Sequence, residues 1–188
     1  GWLLTGDDTF VRVLRDGVST FLRSSPPFRG PHWACGQETS IRAIAWLWAE
    51  GACQDAPSFD DSARGELMQA LAWSGERIAD AFGYAQSQRN NHGLSEATGL
   101  IAIGARLGDT EPRAAGWIAQ GHRALERMIL DQIAPDGWYI QHSFTYARVA
   151  LDRLEHVLVL GQERARLLAA GDLLAEDVDR GHLPGVVQ

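Results

Sequence analysis

The 188-residue sequence contains no lysine: all 17 of its basic residues are arginines, set against 24 acidic residues, for a formal net charge of -7. That sign excludes general binding to nucleic acid, because neutralising phosphates takes a basic surface. Any cationic contact comes instead from a planar guanidinium fork, a shape suited to holding a carboxylate in bidentate fashion. Cysteine is nearly as scarce. Cys35 and Cys53 flank one predicted helix, which separates them by about 27 Å at 1.5 Å per residue. A disulfide needs Cα atoms within about 7 Å. Two distant cysteines without a Cys-x-x-Cys pair also give no structural zinc site, so neither metal nor cofactor is expected. No apolar run approaches the roughly 20 residues that span a bilayer, and no membrane association is expected. The opening Gly1-Trp2-Leu3-Leu4 lacks the charged region and cleavage site of a secretion signal. Runs of alternating apolar and polar residues, the mark of a half-buried strand, are missing too.

What is present is helical spacing. A first helix, capped by Asp7 or Asp8 and running to Arg23, carries the stripe Phe10, Val13, Leu14, Val18 and Phe21. Ser24-Ser25-Pro26-Pro27 ends it. A second spans Glu38 to Gly51 on Ile41, Ile44, Ala45 and Trp48, and a third Ser62 to Phe82 on Leu67, Leu71, Ile78 and Phe82. Gly75 weakens this third helix by about 1 kcal/mol relative to alanine, and Gly83 punctuates its end. His92 to Leu107 follows on Leu94, Ala97, Thr98, Ile101 and Ala105, stopped by Gly108, with Asp109 capping a helix from Glu111 to Ile133. After the turn Pro135-Asp136-Gly137, Gln141 to Ala170 carries Phe144, Leu151, Leu154, Leu158 and Leu167, with a break expected at Gly161 and a last short helix over Asp172 to Asp179. The economical architecture is one all-α domain of antiparallel helices joined by short connectors. Gly181-His182-Leu183-Pro184 opens a segment that stops at Gln188, and the chain reads as a fragment truncated at both ends.

Three polar clusters sit at loop-to-helix junctions. Gln88-Arg89-Asn90-Asn91-His92 precedes a helix, whose free N–H groups and positive dipole end favour an anion. Helix capping by Asn90 or Asn91 beside a surface histidine accounts for the same residues. Asp136-Gly137-Trp138-Tyr139-Ile140-Gln141-His142-Ser143-Phe144-Thr145-Tyr146 sets polar tips beside aromatic bodies, a composition suited to gripping sugar rings; an amphipathic helix start with a locally bonded tyrosine is the plainer account. Gln37, Glu38 and Arg42 stand at a third junction behind Trp33, where a Glu38–Arg42 pair at i,i+4 is most often simply helix stabilisation.

Taken in order, His32-Trp33-Ala34-Cys35-Gly36-Gln37-Glu38 with Arg42, Asn90-Asn91-His92-Gly93 with Ser95-Glu96-Ala97, and Asp136-Gly137 with Gln141-His142-Ser143 and Tyr146 resemble the heparinase II/III-like polysaccharide lyases. The resemblance runs roughly from residue 7 to 184 and implies an incomplete (α/α) toroid of helical hairpins, with the family's C-terminal β-sandwich absent here. It also implies a periplasmic or secreted protein and an acidic polysaccharide as partner. The implied reaction is β-elimination at a 4-O-linked uronic acid: the C5 proton is removed, the C4 oxygen leaves and a 4,5-unsaturated sugar remains. Asn91 and His92 are then the groups that neutralise the C5 carboxylate as charge builds on it, and Tyr146 the general acid and base. Arg89, Gln37, Glu38, Arg42, Gln141 and His142 fall to the substrate subsites, with Trp33, Trp138 and Tyr139 as stacking surfaces. Where relatives carry a histidine after the tyrosine, this sequence has Ala147. Two other readings fit the residues: a glycoside hydrolase using two of Glu38, Glu96 and Asp136, or a carbohydrate-binding remnant without chemistry.

Overall fold

A computed structural model describes residues 1–179, with side chains left undescribed at 160 and 163–179. Within that span seven helices follow one another: α1 (Trp2–Thr5), α2 (Thr9–Ser24), α3 (Gly36–Cys53), α4 (Asp61–Ser87), α5 (Asn91–Leu107), α6 (Ala114–Gln132) and α7 (Phe144–Asp179). An isolated antiparallel bridge between Ile133 and Tyr139 is the one extended pairing among the described residues. The all-α architecture expected from the spacing is therefore the architecture found.

The arrangement is organised around α5, which packs against α3, α4, α6 and α7. Its sequence explains why. Asn91-His92-Gly93-Leu94-Ser95-Glu96-Ala97-Thr98-Gly99-Leu100-Ile101-Ala102-Ile103-Gly104 has small or apolar residues on every face, and a helix apolar all round is a buried one. Every residue from Gly93 to Gly104 is buried. Three helices are also joined by charge: Glu50 of α3 accepts from Arg64 of α4 at 3.0 Å and from Arg106 of α5 at 2.7 Å. Arg106 above all holds the Glu50 carboxyl below the ordinary carboxylate range.

Several expected boundaries move. Gly83 does not end α4, which runs on to Ser87, and α7 passes through Gly161 without a break, absorbing the short helix expected at Asp172 to Asp179. Glycine weakens a helix interior but leaves its hydrogen-bond ladder intact, and packing outweighs that cost. Asp109 caps nothing: Gly108–Thr110 forms a 3-10 turn, and α6 begins at Ala114 after Arg113. Gly75 is required rather than tolerated, since a Cβ there would stand 2.5 Å from the Trp117 ring. The segment expected to begin at Gly181 lies outside the described residues.

Some stripes face the other way. Leu67, Leu71, Ile78 and Phe82 are buried as expected. On α2, however, Val11 and Val18 are buried with Leu14 and Leu22 packed beside them, while Phe10 and Val13 are exposed. Ile41, Trp48, Phe144, Leu151 and Leu158 are exposed as well, with Ala43, Ile44 and Ala150 taking the inner face. On α3 and α7 apolar residues recur on several faces, so periodicity alone leaves more than one candidate face there.

Candidate functional site

The turn between α4 and α5 is built for a sharp reversal. Arg89 adopts φ 48, in the left-handed region, and Asn90 then opens into extended backbone as the N-cap of α5, its side chain accepting from the His92 N–H at 2.9 Å. The capping role thus belongs to Asn90 and leaves the neighbouring amide free of it. Asn91 is only 5% exposed, and among the described residues no hydrogen bond engages its side chain. Its backbone N–H donates instead to Gln141 Oε1 at 3.1 Å. His92 is half-buried one residue on, and the exposed Arg89 flanks the turn.

Gln141 lies at the end of a tight loop that reverses the chain between α6 and α7. Asp136 Oδ1 accepts from the Trp138 N–H at 3.0 Å, and the Ala134 N–H donates to the Trp138 carbonyl at 2.9 Å. Gly137, at φ 86, occupies a conformation that side chains rarely adopt. The loop is pinned from below by Tyr139, which is 4% exposed and donates its hydroxyl to Gln132 Oε1 at 2.9 Å. Burial pushes that phenol up to about 12. Tyr139 is therefore an anchor, which corrects its reading as a stacking surface. Trp138, by contrast, is exposed, lies edge-on to Phe144 and donates its indole N–H to His142 Nδ1 at 3.2 Å.

Helix α7 starts three residues later than Gln141, with the Ala147 N–H donating to the Ser143 carbonyl at 2.8 Å. Tyr146 stands in its first turn, 43% exposed. Among the described residues no hydrogen bond joins Tyr146 to Asn91 or His92; besides the packing of α7 on α5, Gln141 supplies a hydrogen bond between the two segments.

The third junction packs underneath α5. Gln37 Nε2 donates to Ser95 Oγ at 3.2 Å, and Glu96, 3% exposed, presses its carboxyl against Gly36, where a Cβ would come within 2.5 Å of it. Burial raises the Glu96 carboxyl to about 7, opposed by the Arg77 charge and the Gln37 backbone N–H. Among the described residues, one of its oxygens, Oε2, has no partner. Trp33 is 1% exposed and donates its indole N–H to the Ser25 carbonyl. Arg42 lies over the rings of Phe21, Trp33 and Trp46 at 4.5, 5.1 and 5.5 Å and donates to the His32 carbonyl. Desolvation by burial lowers its pKa, against the charge of Glu38. Trp33 and Arg42 thus form an internal cation-aromatic stack, a correction to their placement among substrate contacts. Glu38 remains exposed, while Gln37 is half-buried.

A two-carboxylate hydrolase finds little support in this geometry. Glu96 is sealed beneath α3, and Asp136 spends one oxygen on its own turn. Two clefts, of about 530 Å³ between α2 and α4 and about 350 Å³ between α3 and α7, are lined by none of Asn91, His92 or Tyr146. No group of three or more metal-ligating side chains occurs among the described residues, and no described helix is long and apolar enough to cross a membrane.

Sequence reasoning had no signal for the Asn91–Gln141 bond, whose partners lie 50 residues apart. The Trp138–His142 bond is local, and its i,i+4 spacing in a loop rich in ring nitrogens was available to be read. Compared with known families, residues 54–169 match the model described as the heparinase II/III N-terminus. No curated protein and no solved structure matches the chain.

Proposed function

Because the chain belongs to the heparinase II/III family, with the N-terminal domain matched over residues 54–169, we propose that it cleaves a uronic-acid-containing polysaccharide by β-elimination. In this reading the side-chain amide of Asn91 and the ring of His92 hold the C5 carboxylate of the sugar. Removing the C5 proton spreads negative charge onto that carboxylate, so donors aimed at it bind the transition state more tightly than the ground state. A helix N-terminus adds the positive end of its dipole. Tyr146 moves the proton: as phenolate it takes the C5 hydrogen, and as phenol it protonates the departing C4 oxygen. Both are open to one residue when the two groups lie on the same face of the ring.

The observation that carries the reading is the bond from the Asn91 N–H to Gln141. It joins the turn bearing Asn91 and His92 to the loop that leads into Tyr146, two segments the proposed chemistry needs within one sugar's reach.

The test is an assay of the complete gene product on a panel of acidic polysaccharides for ultraviolet-absorbing unsaturated uronates. Release of such ends, abolished by Tyr146→Phe with polysaccharide binding retained, is the expected result. New reducing ends without unsaturation refute elimination in favour of hydrolysis, and binding without any product leaves a carbohydrate-binding domain.

A further inference from the structure

Trp138, His142 and Phe144 form an aromatic corner at the mouth of the α6–α7 loop, and its geometry is more specific than a patch of exposed rings. Trp138 and Phe144 are 42% and 78% exposed, with ring centroids 5.4 Å apart and planes at 86°. Such an edge-to-face pair holds each ring in place while leaving a face open to solvent. Between them His142 adopts φ 49, an uncommon conformation for a residue with a side chain. Conformations of this kind persist where the surroundings over-determine them, and they gather at functional sites.

The surroundings here are two bonds. Gln141, the preceding residue, is tied to the α5 N-terminus through the Asn91 N–H, and the Trp138 indole N–H donates to His142 Nδ1 at 3.2 Å. An indole nitrogen is a donor only. Nδ1 must therefore offer a lone pair, and the neutral imidazole carries its proton on Nε2. That N–H engages no group among the described residues, and the ring is exposed. His142 is thus held as a donor at a site about 3.8 Å along the backbone from Gln141, beside the turn that presents Asn91 and His92.

We propose that Trp138 is a positioning residue that locks His142 as an Nε2–H donor to an acceptor oxygen of the bound sugar chain, with the open faces of Trp138 and Phe144 as the platform for that sugar ring. The proposal rests on the reading of the substrate as an acidic polysaccharide and adds how one subsite selects its ligand: it takes an oxygen acceptor, a carboxylate or a hydroxyl. It also gives Phe144 a role that its exposure at the helix start otherwise leaves unexplained.

The experiment has two arms on the complete gene product. In the first, with no sugar present, the hydrogen exchange of the Trp138 indole N–H is followed by nitrogen-edited magnetic resonance in wild type and in His142→Ala. Protection in wild type that His142→Ala removes is the expected result; equal exchange in both overturns the lock. In the second, a glucuronate tetrasaccharide and uncharged cellotetraose are titrated into wild type, Trp138→Phe, His142→Ala and the double variant. Trp138→Phe keeps the ring and deletes only the N–H, and it is expected to weaken glucuronate binding roughly five-fold, the scale of one hydrogen bond. The double variant is expected to bind no more weakly than His142→Ala. Binding that Trp138→Phe leaves unchanged, or losses that simply add, overturn the proposal. If wild type binds neither tetrasaccharide, the substrate reading fails and takes the sugar-binding role with it, whereas the exchange arm reports on the lock itself. All three side chains are solvent-exposed, so unchanged melting temperatures are expected to accompany these effects.

Discussion

The side-chain oxygen of Gln141 sits 3.1 Å from the backbone N–H of Asn91, across 50 residues of sequence. It fills one of the orphan donors of the α5 N-terminus and in doing so fastens the α6–α7 loop to the helix start. Gln141→Ala is expected to lower the turnover of uronate release at least ten-fold through misplacement of Tyr146. Gln141→Glu keeps an acceptor at that position and is expected to recover most of the loss. An alanine variant with wild-type kinetics sinks the linking role.

Asn91→Ala is expected to lower kcat about 100-fold, the scale of removing one donor to developing charge, with KM changed far less. Steady-state kinetics on the best polysaccharide of the panel decides it. A rise in KM at constant kcat would instead mark Asn91 as a ground-state contact.

The buried Glu96 carboxyl, raised to about 7, makes stability depend on pH in a definite direction. The folded state holds a proton that the unfolded chain releases, so the associated stability is present below the unfolded value and is lost as pH rises through about 7. Glu96→Gln removes the titration and is expected to be more stable than wild type by roughly 2 kcal/mol at about pH 8, with little difference at about pH 4. Denaturant midpoints at the two pH values check this. An equal effect at both would place the gain in packing.

Glu50 runs the opposite way. Its carboxyl is held low by Arg106 and Arg64, so its contribution is present above the unfolded value and is lost as pH falls through the depressed folded one. Glu50→Ala leaves two partly exposed guanidinium groups without their shared carboxylate and is expected to cost about 2 kcal/mol at neutral pH, read by urea denaturation.

Gly75→Ala sets a methyl group 2.5 Å from the Trp117 ring. A ring of that size buried between helices cannot step aside, and overpacking of this kind costs about 1–3 kcal/mol despite alanine's better helix propensity. A melting temperature at or above wild type would show that α4 and α6 part without cost.

Fold class was legible in the sequence because a 3.6-residue period survives whatever the helices pack against. The expected helices are present with ends shifted by a few residues, the short one at Asp172 to Asp179 being continuous with α7, but the stripe read on His92 to Leu107 did not announce a helix buried on every face. The direction of each outer helix was less legible. On α2, Phe10 and Val13 are left exposed while Val11 and Val18 are buried, a choice made where α4 and α1 pack against the helix. The sequence likewise offered Trp33, Trp138 and Tyr139 as equal stacking rings; burial separates them, leaving Trp138 exposed and turning the other two into anchors.

By itself, then, the sequence determined the helices, the absence of lysine, the three loop-to-helix clusters and, through them, the family. These depend on local spacing and residue type, which a single strand of text carries in full. Tertiary structure alone decided that Gln141 meets Asn91, that Glu50 gathers two arginines from other helices, and that Glu96 lies sealed beneath Gly36. Each of those is a contact between residues far apart in the chain, fixed by how helices pack around α5, and packing has no imprint at short range.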